Sequence, residues 1–161
     1  MAAGSTDTLR HGCRPAAPAA PAVGALAEAL PRPRGEVWKI PFAGEDLFEL
    51  RQLVSSWARK EAMGDEATEE LVLAVHEVAT NSVRHGGGAG TLRLWRTANT
   101  LVCEIHDAGY ITDPLRARRA PGREASASRG LWIADQICDL VEIRSSPRGS
   151  QVRMQKQLDP A

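Results

Sequence analysis

Apolar residues recur at helical spacing along one central stretch, Glu69–His85. Leu71, Val72, Val75, Val78, Ala79 and Val83 fall on one broad arc of a helical wheel. On the far side Glu77 and Asn81 stack four residues apart, with Arg84 one turn on. The spacing predicts an amphipathic helix, capped at its start by Asp65 or Thr68. It ends at Gly86-Gly87-Gly88, where left-handed backbone costs little. Taken alone, the Glu77–Asn81 pair is an ordinary solvated hydrogen-bonded pair. An earlier stripe of Leu47, Leu50, Val54 and Trp57 predicts a helix from Asp46 to Ala62. Before it, Glu36–Phe42 reads as a strand, with Pro41 suited to a sheet edge.

Downstream the period changes to two. Thr91–Arg96 and Leu101–Asp107 predict two strands turned around Asn99. In the second, Leu101, Cys103 and Ile105 share a face, and Asp107 is next in that register. A carboxylate continuing an apolar face must find a donor or suffer a desolvation cost of several kcal/mol. Either Asp107 caps a nearby turn or it receives an N–H group from a ligand, with Gly109 leaving bare backbone for a close approach. From Ala108 to about Ser128 no period holds, and a connection of that length reads as a lid or as disorder. Its arginines, Arg116, Arg118, Arg119 and Arg123, suit phosphates or plain solvent equally. Ser128-Arg129-Gly130 then opens a helix striped by Leu131, Ala134, Ile137, Cys138 and Val141, and a helix start offers N–H groups to an anion. Strands at Leu140–Arg144 and Gln151–Gln157, turned by Pro147-Arg148-Gly149, close the chain. The order β-α-α-β-β-lid-α-β-β predicts an α+β two-layer sandwich, with helices on one face of a mixed, mainly antiparallel sheet.

Composition narrows this picture. At 161 residues the chain suits one domain, expected over residues 36–158, behind an Ala/Pro-rich flexible tail over 1–35 with a short helix near Gly24–Leu30. Net charge is zero at 43% apolar residues, which marks neither a nucleic-acid nor a membrane binder. Three cysteines without close spacing argue against a disulfide framework. His76, His85 and His106 lack the spacing of zinc ligands. No apolar run approaches membrane-spanning length, and prolines interrupt the amino-terminal stretch, so a cytoplasmic protein is expected.

Glu77…Asn81, Asp107-Ala108-Gly109 and Arg129-Gly130-Leu131, in this order with a lid before the last, resemble the GHKL (histidine-kinase-like) ATPase superfamily. The likeness runs from about Glu36 to Leu158 and is strongest to anti-sigma-factor serine kinases and their actinobacterial regulatory relatives. It implies a Bergerat-type ATP-binding fold with ATP and Mg²⁺ as cofactors. Asn81 would hold the metal, and Glu77 would be the general base. Asp107 would accept the adenine amino group beside Gly109. The N–H groups of Arg129, Gly130 and Leu131 would meet the phosphates. Ser150 stands where the family usually has threonine near the adenine, and Ser128 where it often has glycine. Arg84 and His85 join the nucleotide-binding set, although His85 reads equally well as a helix-end histidine. The resemblance implies a serine kinase that binds a sigma factor and phosphorylates an anti-anti-sigma (STAS-type) partner, without direct nucleic-acid contact. The alternative is an ATP-gated protein-binding module with little phosphotransfer. It also implies a homodimer, built on the amino-terminal strand and the helix bearing Trp57 unless Trp57 is core. A sensor histidine kinase is disfavoured, since no helical hairpin with a phospho-acceptor histidine precedes the domain.

Overall fold

The computed structural model describes residues 29–113, 120, 122 and 126–160. Most of the expected tail lies outside these residues, as do the lid positions 114–119, 121 and 123–125 with their four arginines.

Chain order is β1 (Trp38–Ala43), a 3₁₀ turn (Gly44–Asp46), α1 (Leu47–Lys60), α2 (Asp65–His85), β2 (Ala89–Thr97), β3 (Thr100–Asp107), α3 (Ser126–Ile137), β4 (Leu140–Ser146) and β5 (Gly149–Gln157). The strands lie side by side in the order β1-β2-β3-β5-β4. Each pairing among the described residues is antiparallel, so no parallel pair of the expected mixed sheet is present. The reason is local. β2–β3 and β4–β5 are tight hairpins, and α3 carries the chain to the edge so that β5 returns beside β3.

One face of the sheet carries the core. Leu92 and Leu94 of β2, Leu101, Cys103 and Ile105 of β3, and Val152 and Met154 of β5 are buried against the helices. The helices answer with Leu50, Val54 and Trp57 of α1, Leu71, Val75, Val78 and Ala79 of α2, and Leu131 and Ala134 of α3. Trp57 is core, at 8% exposure, and does not present itself to a second copy of the chain. Burying such side chains contributes about 1.5–3 kcal/mol each.

The helix starts differ from expectation. Gly64 takes the cap position of α2 without a side-chain bond. Asp65 lies in the first turn and pairs with Arg59 at 3.4 Å, while the buried Thr68 hydroxyl turns back to the Met63 carbonyl. Glycine, lacking a side chain, is a common start and makes the other caps dispensable.

The second face of the sheet is also covered. Alternation turns Glu104 and His106 of β3 outward, between Arg93 of β2 and Arg153 of β5. Glu104 has no exposed side-chain surface. It accepts from Arg93 Nη1 at 2.9 Å and Arg153 Nε at 2.5 Å, and meets His106 Nε2 at 2.5 Å. The Arg153 and Arg93 guanidiniums lie 5.1 and 5.9 Å from the Trp95 ring centroid. Residues upstream of β1 cross this face. Leu30 is buried, its N–H donates to Gln151 Oε1 at 2.9 Å, and the Pro31 carbonyl accepts from Arg153 Nη2 at 2.6 Å. Contact with the sheet therefore includes Leu30 and Pro31, ahead of the strand.

Candidate functional site

Asp107 ends β3 opposite Ser150 on β5, and the two meet side chain to side chain. Ser150 Oγ donates to Asp107 Oδ1 at 2.6 Å, and the Gly109 N–H donates to the same oxygen at 2.8 Å. The second of these is the turn-capping role open in the sequence. Oδ2 accepts from Ser82 Oγ of α2 at 2.7 Å. A carboxylate has four acceptor positions, so three donors leave one for an incoming N–H group. Capping and ligand reception are thus compatible in one side chain.

The backbone around Asp107 is bare. A Cβ on Gly86 would stand 2.5 Å from Asp107 Cγ, and one on Gly109 would stand 2.7 Å from the Gly86 Cα. Contacts at such distances do not occur, so both positions require glycine. Gly87 and Gly88, with φ of +94° and +86°, make the left-handed exit expected after α2. An open cleft of about 350 Å³ runs past Asp107, Ser150 and Gly149, and Arg144 and Arg148 also line it.

One and a half turns before the end of α2, Glu77 and Asn81 face α3. Gly130 is the contact, since a Cβ there would lie 3.1 Å from Glu77 Oε2 and 3.2 Å from Asn81 Nδ2. The structure therefore brings Glu77, Asn81 and Gly130 together at one end. It brings Asp107, Gly109 and Ser150 together at the other, joined by the last turns of α2. Leu131 is buried in the core. Arg84, His85 and Arg129 have exposed side chains. The His85 carbonyl lies 2.8 Å from where a Gly109 Cβ would be, which places the backbone of α2's end beside Asp107.

α3 starts at Ser126, earlier than the sequence suggests. Gly130 and Leu131 sit one turn in, and their N–H groups belong to the helix ladder. The N–H groups open to an anion belong to the turn beginning at Ser126, with Arg129 at its inner boundary. Ser126, Ala127 and Ser128 carry no apolar period, so only the backbone reveals that turn.

Two features were missed in the sequence. Ser82 falls on the same arc as Val75 and Val78, and a hydroxyl at a core-facing position was the available signal. Gly86 reads as a helix stop but serves equally as clearance for Asp107.

The pieces suit a purine nucleotide with a divalent cation. Asp107 retains an acceptor position in a glycine-lined recess. Asn81 and Glu77 bring a carboxamide and a carboxylate together at the Gly130 contact, and both groups carry the hard oxygen donors Mg²⁺ takes.

Comparison with known proteins bears on the family and the fold. The model of the histidine kinase-like ATPase domain matches residues 40–156. No curated protein matches the chain by sequence. Among solved structures, the chain is similar to the RsbU and RsbW domains of Rv1364c from Mycobacterium tuberculosis, with TM-score 0.58 and 12% identity over 77% of this chain. It spans only 32% of that longer chain. The SiaB–SiaC complex from Pseudomonas aeruginosa is similar with TM-score 0.56 and 11% identity, over 74% of this chain and 88% of that one. At these identities the likeness is one of fold.

Proposed function

The chain belongs to the histidine kinase-like ATPase domain family, and on that premise we propose that it is an ATP-binding regulator of the anti-sigma-factor type. In this reading it is a cytoplasmic serine/threonine protein kinase acting on an anti-anti-sigma, STAS-type partner in transcription control, and it also binds a sigma factor. The observation that carries the reading is Glu77 beside Asn81 at the Gly130 contact. A protein that only held nucleotide would not need a carboxylate at that position. The fold likeness to part of a chain that carries RsbU and RsbW domains, and to a chain of the SiaB–SiaC complex, supports a protein substrate. Among the described residues no helix is long and apolar enough to cross a membrane.

In the reaction, Asp107 holds the adenine amino group and fixes the base between β3 and the end of α2. Asn81 would hold Mg²⁺, which when bound neutralises phosphate charge. The open N–H groups of the turn at Ser126, with Arg129, face the phosphates. Glu77 takes the proton from a serine hydroxyl of the partner. That oxygen bonds to the γ-phosphorus, the bond to the β-phosphate oxygen breaks, and ADP leaves. A homodimer belongs to the same proposal. With Trp57 buried, the proposed contact is edge strand β1, where Trp38 is 49% exposed.

The test is Glu77→Gln, which keeps shape and removes basicity. ATP affinity should stay near wild type while phosphotransfer falls at least about a hundredfold. Full activity in the variant would reduce Glu77 to a helix-surface carboxylate. The second reading, an ATP-gated binding module, is favoured by one observation. Gly130 packs closely on Glu77 and Asn81, so a ligand reaching those two side chains would disturb this α2–α3 contact. Nucleotide-dependent partner capture with no phosphotransfer by the wild type would select it.

A further inference from the structure

We propose that Ser82 is a positioning residue for nucleobase selection, acting through Asp107 to favour a purine with a 6-amino group over one with a 6-oxo group. The inference rests on the ATP reading above.

Ser82 is 1% exposed and lies on the core-facing arc of α2, where a hydroxyl gains nothing by packing. Its one proton has two acceptors in range, the Val78 carbonyl at 3.3 Å and Asp107 Oδ2 at 2.7 Å. The default for a helical serine is the carbonyl one turn back. The shorter, charge-assisted bond to Asp107 takes the proton instead, tying α2 to the end of β3.

The distribution of donors on Asp107 gives that bond its consequence. Oδ1 already accepts from Ser150 Oγ and the Gly109 N–H, which fills both of its acceptor positions. Oδ2 accepts from Ser82 and has one position left. Gly86 packs so closely against the carboxylate that a Cβ would overlap it. With Oδ1 pinned, Oδ2 bonded and Gly86 behind, the carboxylate cannot turn, and its single open lone pair is fixed. An amino N–H completes it. A 6-oxo group would set one lone pair against another. Sites built on a hydrogen bond reject analogues that lack it for this reason. Without the Ser82 hydroxyl, Oδ2 has two open positions and space for a water molecule, which donates to an oxo group as readily as it accepts from an amine. Discrimination then weakens.

The experiment uses the full chain with Mg²⁺, titrating ATP and inosine triphosphate by calorimetry into wild type, Ser82→Ala and Ser82→Thr. The wild type should prefer ATP. Ser82→Ala should lower ATP affinity about tenfold, the size of one hydrogen bond to a charged group, and leave inosine triphosphate within about twofold. Ser82→Thr, which keeps the hydroxyl, should restore the preference. A purely structural serine would change the melting temperature or weaken both nucleotides together, leaving their ratio at the wild-type value; that result overturns the proposal. Equal binding of both nucleotides by the wild type also overturns it while leaving the ATP reading in place. No binding of either by the wild type overturns the ATP reading itself, and this inference with it.

Discussion

Glu104 is a buried carboxylate whose removal should cost more than any other single polar change on the outer face of the sheet. Glu104→Gln keeps the volume and deletes the charge that Arg93 and Arg153 share at 2.9 and 2.5 Å. Those guanidiniums are 18% and 10% exposed, so water cannot replace the lost partner. The new amide NH₂ must also point at a donor. Breaking a buried pair from one side costs about 3–5 kcal/mol, or roughly 10 °C in melting temperature for a chain of this size. The pH dependence carries the same signature. Burial opposes ionisation of Glu104, but hydrogen bonds from His106, Arg153 and Gln151 and the Arg153 charge outweigh it, and its pKa is lowered from 4.5 to about 2. A depressed folded-state pKa gives stability that is present above 4.5 and lost as pH falls toward about 2. Across that window the wild type should lose about 3 kcal/mol from this group, and Glu104→Gln should lose none of it. Urea denaturation of both proteins at neutral pH and through the acid range measures both effects. Glu142→Gln is the control. It lies on β4, its side chain is 28% exposed, and it is 3.9 Å from Arg144, so it should cost under about 1 kcal/mol. If Glu104→Gln matches that control, or keeps the acid slope, the cluster is near break-even and the reasoning fails.

Further outcomes follow from the site. Asp107→Asn replaces an acceptor-only group with one that donates toward Ser82 or Ser150, so ATP affinity should fall by at least about tenfold; equal calorimetric titrations of variant and wild type would remove the adenine role. Gly130→Ala should hold or raise thermal stability, since alanine gains up to about 1 kcal/mol inside a helix. It should nevertheless lower ATP turnover, because the methyl group presses on Glu77 and Asn81 at 3.1 and 3.2 Å; wild-type turnover would show that the two side chains move aside freely.

Much of this was legible before the structure. The 3.6 period of α2 and the period-two register of β3 placed Glu77, Asn81 and Asp107 on the right elements, because local backbone geometry alone decides which side chains share a face. The antiparallel sheet was legible in its hairpins and not in its order, since β5 between β3 and β4 depends on where α3 delivers the chain. The Glu104 cluster depends on that order. Arg93 is 11 residues away in sequence and Arg153 is 49, and only the strand sequence β2-β3-β5 brings both to one carboxylate. Leu30 was hidden differently. Leu26 and Leu30 suggest no more than a short helix in an Ala/Pro-rich stretch, yet Leu30 is buried where Gln151 and Arg153 hold the backbone beside it.

The two carboxylates on β3 show why burial alone does not mark a functional group. Glu104 and Asp107 are three residues apart and lie on opposite faces of one strand. Glu104 meets two guanidiniums and an imidazole, all donors that match its charge, and the Leu30–Pro31 stretch crosses the same face. Such a group is complete, and its energy goes into holding β2, β3 and β5 in register. Among the described residues Asp107 meets two hydroxyls and one backbone N–H, with glycine on its flanks. No cation neutralises it among these contacts, one acceptor position is left over, and the residue lines a cleft. Neutral donors fix its direction without cancelling its charge. That combination keeps a carboxylate able to choose a ligand by its hydrogen atoms, and it is why Asp107, rather than the more deeply buried Glu104, is the candidate contact for a nucleobase.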